Sequence, residues 1–489
     1  MKPKTIREPF RTIARARAAR PLLPAMAAWA LAACAAVGPD YVAPATDTAA
    51  RFANAPSATG ASGDPAPLSS WWTCFHDPAL TRVVEQALAS NGDIAIAAAR
   101  VEQARAVAAI AGDRLLPQIT AGAQAASQRQ SLESPIGAIG RHLPGFERNV
   151  TIVDSGVGAS WEADLFGALR REREAAHAEA EAAEADRIGV RIIVAADAAD
   201  AYFRIRAAQR RIAVAQAQIA ADTDLQALVA LRLAEGIATR REAAEADARL
   251  AQVRATIAPL RTELGVQLNR LDLLMGVRPG TLSAQLATPT PEAIPAAPAG
   301  PHLTPADVLR RRPDVMAAER RLAAGNARIG AALSEYYPKI SLSGLLGFES
   351  MNGAALTSAT FQPQAVAGIR WRLFDFGRID AEVAHASGRY AEALASYRQT
   401  MLRATEDVEN ALVASANLET ERNDVLLEVR ADIEARDTAE DAYRGGVSSI
   451  LEVLEQDRQL LAARDHLEVA DAGAARAAVA RYRAMGGGW

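Results

Sequence analysis

The 489-residue sequence is short of the residues that most enzymes and disulfide-framed domains depend on. It has only two cysteines, Cys34 and Cys74, too few for a framework of bridges. There are six histidines, at 76, 142, 177, 302, 385 and 466, and no HExxH, GxSxG, Walker or GxGxxG pattern. Catalysis would therefore have to work without any common signature, so the chain reads as no enzyme, with no cofactor and no metal site. Aromatic residues make up 5%, which disfavours a bulky globular core. No apolar run reaches eighteen residues, so no single helix of this sequence can cross a bilayer. Basic residues do not exceed acidic ones, the net charge being −4, and no basic face for nucleic acid is present.

What the sequence does have begins with a basic leader. Lys2, Lys4, Arg7, Arg11, Arg15, Arg17 and Arg20 stand against one acid, Glu8, and precede a short apolar run from Leu22 to Ala33. That pattern is a secretion signal, too short and too interrupted by Pro21 and Pro24 to span. It ends in Leu31-Ala32-Ala33-Cys34, which resembles a bacterial lipoprotein cleavage box and implies a covalent lipid on Cys34. Ala35 follows where an Asp would imply retention at the inner membrane, so the resemblance implies export to the outer membrane. With Cys34 lipidated, Cys74 has no intramolecular partner and is expected to be a small buried hydrophobe.

An internal repeat organises the remainder. A shift of 210 lays Trp161 on Trp371, Phe166 on Phe376, Gly167 on Gly377, Gly236 on Gly446 and Glu242 on Glu452. The same shift lays Glu245 on Glu455, Leu250 on Leu460 and Met275 on Met485. Upstream, a shift of 221 lays Asp93 on Asp314, Pro117 on Pro338 and Ile119 on Ile340, so a loop between Pro117 and Trp161 carries an insertion. The expected organisation is a signal over 1–33, a lipid-anchored extended segment over 34–76, a first repeat over 77–276, a proline-rich linker over 277–304 and a second repeat over 305–489.

Each repeat reads as a broken helix, two strands and a long helical hairpin. Asp77-Pro78 is a helix start, Ser90-Asn91-Gly92 a pause and Pro117 a stop. Strands are expected over 118–128, 150–165, 339–349 and 361–374. The stretches 168–235 and 378–444 have almost no helix breaker, and a helix of that length is about 100 Å long. Leu250, Val253, Ile257, Leu260, Leu264, Leu268, Leu271 and Met275 step by threes and fours along the return helix, with Pro259 expected to kink it. Gly236 and Gly445-Gly446 mark the hairpin tips.

Four strands cannot close a membrane sheet, and an open edge in hydrocarbon leaves backbone groups unpaired. Pooled strands solve this. Two copies would give eight strands, filled by their own side chains, whereas three give twelve and leave room for water. The fold class expected is thus mainly α with a membrane β-barrel, a homotrimer of twelve strands continued by a long α-helical coiled-coil barrel.

The sequence resembles the TolC-type outer-membrane efflux protein family, and within it the lipid-anchored NodT-type branch, over essentially the whole mature chain. The resemblance rests on Gly38-Pro39-Asp40-Tyr41, Trp71-Trp72 with Phe75 and Asp77-Pro78, Trp161 with Asp164-Leu165-Phe166-Gly167, Arg311-Arg312-Pro313-Asp314-Val315 with Glu319, Tyr337-Pro338, and Trp371 with Leu373-Phe374-Asp375 and Gly377-Arg378. It implies a passive export channel in the outer membrane that meets a periplasmic adaptor and an inner-membrane pump, commonly of the resistance-nodulation-division class. Acidic residues just past the second tip ring the constriction in that family. The matching positions here are Glu452 and Glu455, three apart, with Glu where the family usually has Asp. Spacing alone serves a solvated helix face equally well. Glu242 and Glu245 are their equivalents in the first repeat, and Gly236, Ile237, Gly446, Val447 and Ser448 are the tip residues where an adaptor would dock. Trp161 and Trp371 suit either an interfacial belt or packing beneath it. The competing readings are a type I protein-secretion duct of the same family and, against the tandem hairpins, a periplasmic adaptor lipoprotein.

Overall fold

A computed structural model describes residues 36–45, 48–55, 68–281, 286, 293–295, 303–351, 353 and 357–489. The leader and Cys34 lie outside the described residues, as does most of 277–304. The chain divides into two compact units. One contains Val107–His177 and Ala323–Ala391 with the stretch up to Val42; the other contains Ala43–Ala106, Ala178–Leu322 and Glu392–Trp489.

The elements follow the repeat. A 3-10 turn, Leu68–Phe75, leads into α1, Pro78–Ser90, and α2, Gly92–Asp113. Then come β1, Gln118–Arg129, a short helix α3, Pro135–Gly140, and β2, Asn149–Ala163. The first long helix, α4, is Ala168–Ala234, and its return helix, α5, is Arg240–Leu274. The second repeat gives α6, Pro305–Arg311, α7, Pro313–Leu333, β3, Lys339–Met351, β4, Phe361–Arg370, α8, Arg378–Arg444, and α9, Ile450–Ala484. Both α4 and α8 run for 67 residues, as the lack of breakers requires. Three expectations shift. The strands β2 and β4 stop at Ala163 and Arg370, short of 165 and 374, and the insertion between β1 and β2 contains the helix α3. The helix α5 continues through Pro259, which sits inside its span.

In the second unit, local capping explains the helix starts. Asp77 accepts from the amides of Ala79 at 2.8 Å and Leu80 at 3.1 Å, and its other oxygen accepts from the Tyr202 hydroxyl at 2.7 Å. The motif Asp77-Pro78 is therefore a cap fastened to α4. Asn91 makes the pause between α1 and α2 by the same chemistry. Its carbonyl oxygen caps α2 through the amides of Asp93 and Ile94, and its amide donates to the Leu274 carbonyl at 2.9 Å. The aromatic motif forms the core: Trp71 stacks on Tyr482 at 5.4 Å, and Phe75 meets Phe203 at 5.1 Å. Small residues of α4, Ala195, Ala198 and Ala199, are fully buried beside them, which lets helix backbones approach closely. Cys74, expected to be buried, is only half-buried and unbridged, because its neighbours Trp72 and Phe75 take the inward positions.

Arg312, between α6 and α7, is a buried cation of the same unit. It pairs with Asp314 at 2.7 Å and with Asp407 of α8 at 2.8 Å, and donates to the carbonyls of Ala404 and Ala484. The Arg-Pro-Asp motif is thus a clamp on α8 and α9. Replacing Arg312 by Ala strands those acceptors, and a buried acceptor left unmet costs about 1–3 kcal/mol. The variant is expected to unfold several degrees earlier by calorimetry in detergent; an unchanged transition would contradict the clamp.

In the first unit the strands pair consecutively and antiparallel in the order β1-β2-β3-β4. The N-terminal stretch is strapped alongside. Val37 donates to the Phe166 carbonyl at 2.9 Å, and Arg171 reaches Val37 and Gly38 carbonyls and Asp40 at 2.7 Å. Gly38 has φ +98, and a Cβ there would lie 2.5 Å from Gly330 Cα, so no other residue fits without displacing α7.

Candidate functional site

The sheet's cross-strand register sorts its side chains onto two chemically different faces. Residues in direct register share a face, and alternate residues change it. One face carries Ile119 of β1, Val153, Val157 and Trp161 of β2, Ile340, Leu342, Leu346 and Phe348 of β3, and Phe361, Ala367 and Ile369 of β4. Every aromatic of the four strands is on it. The opposite face carries Gln118, Thr120 and Gln124, then Asp154, Ser160 and Glu162, then Ser341, Ser343 and Glu349, then Gln362, Gln364 and Arg370. Val150, Ile152, Leu345, Met351 and Val366 are its larger apolar members. All charged residues of β2, β3 and β4 lie there; Arg129, at the far end of β1, lies on the other face.

The apolar face is uncovered. Ile119, Leu346 and Ile369 are 70%, 64% and 74% exposed, and an exposed, largely apolar surface of this kind, interrupted by Ser127, Thr151, Ser155 and Ser350, marks a membrane or partner contact. On the polar face Asp154 stands directly opposite Glu349, both exposed. Like charges in direct register are destabilising, so this pair needs water around it. Ten residues rise about 33 Å, or about 25 Å when tilted as barrel strands are, which matches a hydrocarbon layer. The outer strands β1 and β4 have no further strand beside them among the described residues.

Trp161 and Trp371 close the helix-side ends of the strands. Each indole nitrogen donates to a backbone carbonyl, Leu115 and Tyr336 respectively, both at 2.9 Å, while the rings stay partly exposed. They combine the two roles the sequence left open, a fastened polar end and an exposed apolar ring.

In the other unit, both hairpin tips end their long helix in the same way. Gly236 has φ +75; its amide donates to Leu233, and the Ile237 amide reaches back to Arg232 at 2.9 Å. Gly446 has φ +73; its amide donates to Tyr443, and the Val447 amide reaches Ala442 at 2.9 Å. These are paired 6→1 and 5→2 bonds, which satisfy the last carbonyls and leave Ile237, Val447 and Ser448 outward. Ile237 and Val447 are exposed.

The acidic residues past the two tips have different duties. Glu242 closes a capping box with Thr239, accepting from the Thr239 amide at 2.6 Å and donating its own amide to the Thr239 hydroxyl. That backbone bond lowers its carboxyl below the usual range. Glu245 lies 3.8 Å from Arg241. In the second hairpin, Ser449 makes no side-chain cap bond, and Glu452 accepts from the Ser448 hydroxyl at 2.5 Å. Glu455 pairs with Arg458 one turn on, which holds its carboxyl at about 2. Sequence reasoning missed Arg458 and also Arg249 of α5, which lies 2.8 Å from Asp222 and donates to the Leu454 carbonyl at 2.5 Å. Arg249 therefore ties the first hairpin to the second near the tips. A cavity of about 870 Å³ between α4, α5 and α9 is lined by both of these arginines.

Residues 83–277 and 304–487 match the protein family described as outer membrane efflux protein. The chain is 32% identical over 442 residues to the pyoverdine export outer membrane protein OpmQ of Pseudomonas putida, covering 88% of this chain and 91% of that one. It is 29% identical over 430 residues to nodulation protein T of Rhizobium leguminosarum bv. trifolii, covering 87% and 88%. Among solved structures, the outer-membrane channel OprN superposes with a TM-score of 0.82 at 34% identity, covering 93% of this chain and 99% of that one.

The tip geometry yields a local test. A side chain at a left-handed position costs about 1–2 kcal/mol, so Gly446→Ala should speed amide exchange at 442–449 roughly tenfold. Gly445→Ala, one residue earlier, should do so far less; equal effects would contradict the assignment of the turn.

Proposed function

Because this chain belongs to the outer membrane efflux protein family, we propose that three copies share one β-barrel in the outer membrane, polar face inward and apolar face to lipid, continued by their helical hairpins as an α-helical barrel into the periplasm. The observation that carries this reading is the division of an open-edged sheet into a wet, charged face and an exposed apolar one. The chain is a channel subunit and not an enzyme: small molecules diffuse outward along the polar lumen, and no bond is made or broken. The tips at Gly236, Ile237, Gly446, Val447 and Ser448 are the docking points for a periplasmic adaptor, which joins the channel to an inner-membrane pump of the resistance-nodulation-division class.

Glu452 and Glu455, three copies of each, narrow the periplasmic end and draw cations to it. Glu242 and Glu245 belong instead to the caps and flanks of the first hairpin. Cys34 is the lipidated first residue of the mature chain, as in the NodT-type branch; similarity to nodulation protein T supports that placement, and the strap from Val37 to Asp40 begins three residues beyond it. A Cys34→Ser chain should incorporate no radiolabelled palmitate, where the parent does; labelling of the variant would contradict the anchor.

Native mass measurement should give a trimer, and planar-bilayer recording a cation-preferring conductance. A soluble monomer without conductance would contradict the function. Glu452→Gln with Glu455→Gln should shift the reversal potential toward zero in a salt gradient, and an unchanged potential would remove both residues from the constriction. The carboxylate of Glu455 is depressed, so its pairing with Arg458 is complete above the ordinary value of 4.5 and is lost as pH falls toward about 2. On a Glu452→Gln background, Arg458→Ala should therefore raise the pH at which cation preference fades.

A further inference from the structure

The cavity of about 870 Å³ between α4, α5 and α9 has room for a ligand because its helices carry small residues along it. Ala207, Ala208 and Ala215 of α4 and Ala472 and Gly473 of α9 are on its wall. Small-molecule sites span roughly 300–1,000 Å³, so the volume fits one. Five arginines line the space, Arg204, Arg211, Arg249, Arg458 and Arg476, against two carboxylates, Asp465 and Glu263. The other carboxylates that pair with these arginines, Asp200, Asp222 and Glu455, are not on the wall, so the charges facing the space are mostly positive.

Four of the five cations are engaged. Arg211 forks onto Asp465 at 2.8 and 2.9 Å, Arg204 and Arg476 share Asp200 at 2.7 and 2.5 Å, and Arg458 holds Glu455. Arg249 differs. Its Nη1 donates to the Leu454 carbonyl and its Nε lies 2.8 Å from Asp222, yet Nε and Nη2 have no hydrogen-bond partner among the described residues. Those two donors form the edge of a guanidinium that forks onto a carboxylate. Beside it, Gln218 and Asp222 are 4% and 2% exposed. The Gln218 amide donates to Asp222 Oδ1 at 2.7 Å, while Gln218 Oε1 and Asp222 Oδ2 accept from nothing among the described residues. Buried polar atoms left unmet are costly, and four of them gather in one cluster, of which Gln218 and Arg249 line the cavity.

This wall is not a by-product of pairing long helices, because the second repeat lacks it. The shift of 210 lays Arg211 on Glu421, Gln218 on Glu428 and Arg249 on Gln459. It lays Ala208 on Leu418 and Ala215 on Val425, so the equivalent positions are bulkier and without these cations. We propose that the cavity is a binding site for an amphipathic organic anion that carries an N–H or O–H donor beside its carboxylate. The carboxylate takes the Nε and Nη2 edge of Arg249, the adjacent donor meets Gln218 Oε1, and the apolar body lies along Val214, Val253, Leu260 and Leu461. Helices of one unit of a single chain build the site, so it does not depend on the shared barrel.

Calorimetric titration of the full chain in nonionic detergent tests the site, with N-benzoylglycine as the probe. Benzoate keeps the charge without the N–H, and benzamide keeps the N–H without the charge. N-benzoylglycine should bind saturably, one per chain, roughly threefold tighter than benzoate and at least roughly tenfold tighter than benzamide. Arg249→Gln should weaken it at least roughly tenfold, and Gln218→Leu should bring it down to the affinity of benzoate. Since Arg249→Gln also cuts the tie to Leu454, Val253→Trp provides a second route: it fills the cavity, spares that tie and should abolish binding while circular dichroism stays parental. Absence of saturable binding to the parent, equal binding of benzamide, or parental affinity in a folded Val253→Trp chain would overturn the site. Conductance, measured separately, would leave the channel standing in each of those cases.

Discussion

An antiparallel sheet leaves a row of backbone donors and acceptors unpaired along each outer strand, and in hydrocarbon each such group costs several kcal/mol. The described residues form a four-stranded sheet with an exposed apolar face and two such rows, on β1 and β4. Among the described residues neither edge is blunted by a covering helix or by a run of charge, the usual protections. Pairing with another strand is the remaining way to satisfy them, and the duplication supplies one on every copy. The shared barrel proposed above is one way to close that sheet.

The duplication also explains why such unlike parts coexist in one chain. The β half of each repeat needs alternation and tolerates small residues, while the helical half needs long uninterrupted stretches and alanine-rich seams. The junction between them carries aromatic side chains and left-handed backbone of its own. Trp161 and Trp371 hold the strand ends to the carbonyls of Leu115 and Tyr336, and Phe376 takes a left-handed φ of 56 beside Gly377 at φ +85. At the opposite ends, identical turns at Gly236 and Gly446 precede unlike acidic surroundings, a capping box in one hairpin and a Glu455 to Arg458 pair in the other. Equivalent positions have thus kept the backbone and diverged in charge, which gives the two hairpins of one chain different surfaces.

Much of this was legible in the residues. Uninterrupted stretches bounded by Gly gave the long helices to within a residue, since propensity and breakers are local. Asp77-Pro78 and Ser90-Asn91-Gly92 marked real caps for the same reason. The strands were harder to delimit: β1 is QITAGAQAASQR, in which alanine and glycine blunt the contrast between faces, so its apolar side emerges only when Ile119 is set in register with Ala159 and, across β2, with Gly344. What could not be read were long-range partners. Nothing local announces that Arg312 clamps two helices, that Arg249 reaches the Leu454 carbonyl, or that Gly38 must meet Gly330. The motifs containing Gly38 and Arg312 were visible as patterns, but their physical reasons lie in residues distant in the sequence, such as Gly330 for Gly38 and Asp407 and Ala484 for Arg312.

The central claim is that one face of the sheet meets lipid and the other meets water. Spin labels placed singly along β3 from Ile340 to Glu349, in the channel reconstituted in bilayers, test it most directly by comparing accessibility to oxygen and to a water-soluble nickel complex. The account predicts strict alternation: Ile340, Leu342, Leu346 and Phe348 open to oxygen, and Ser341, Ser343 and Glu349 open to nickel. Uniform access to nickel along the strand, or no period of two, would contradict it.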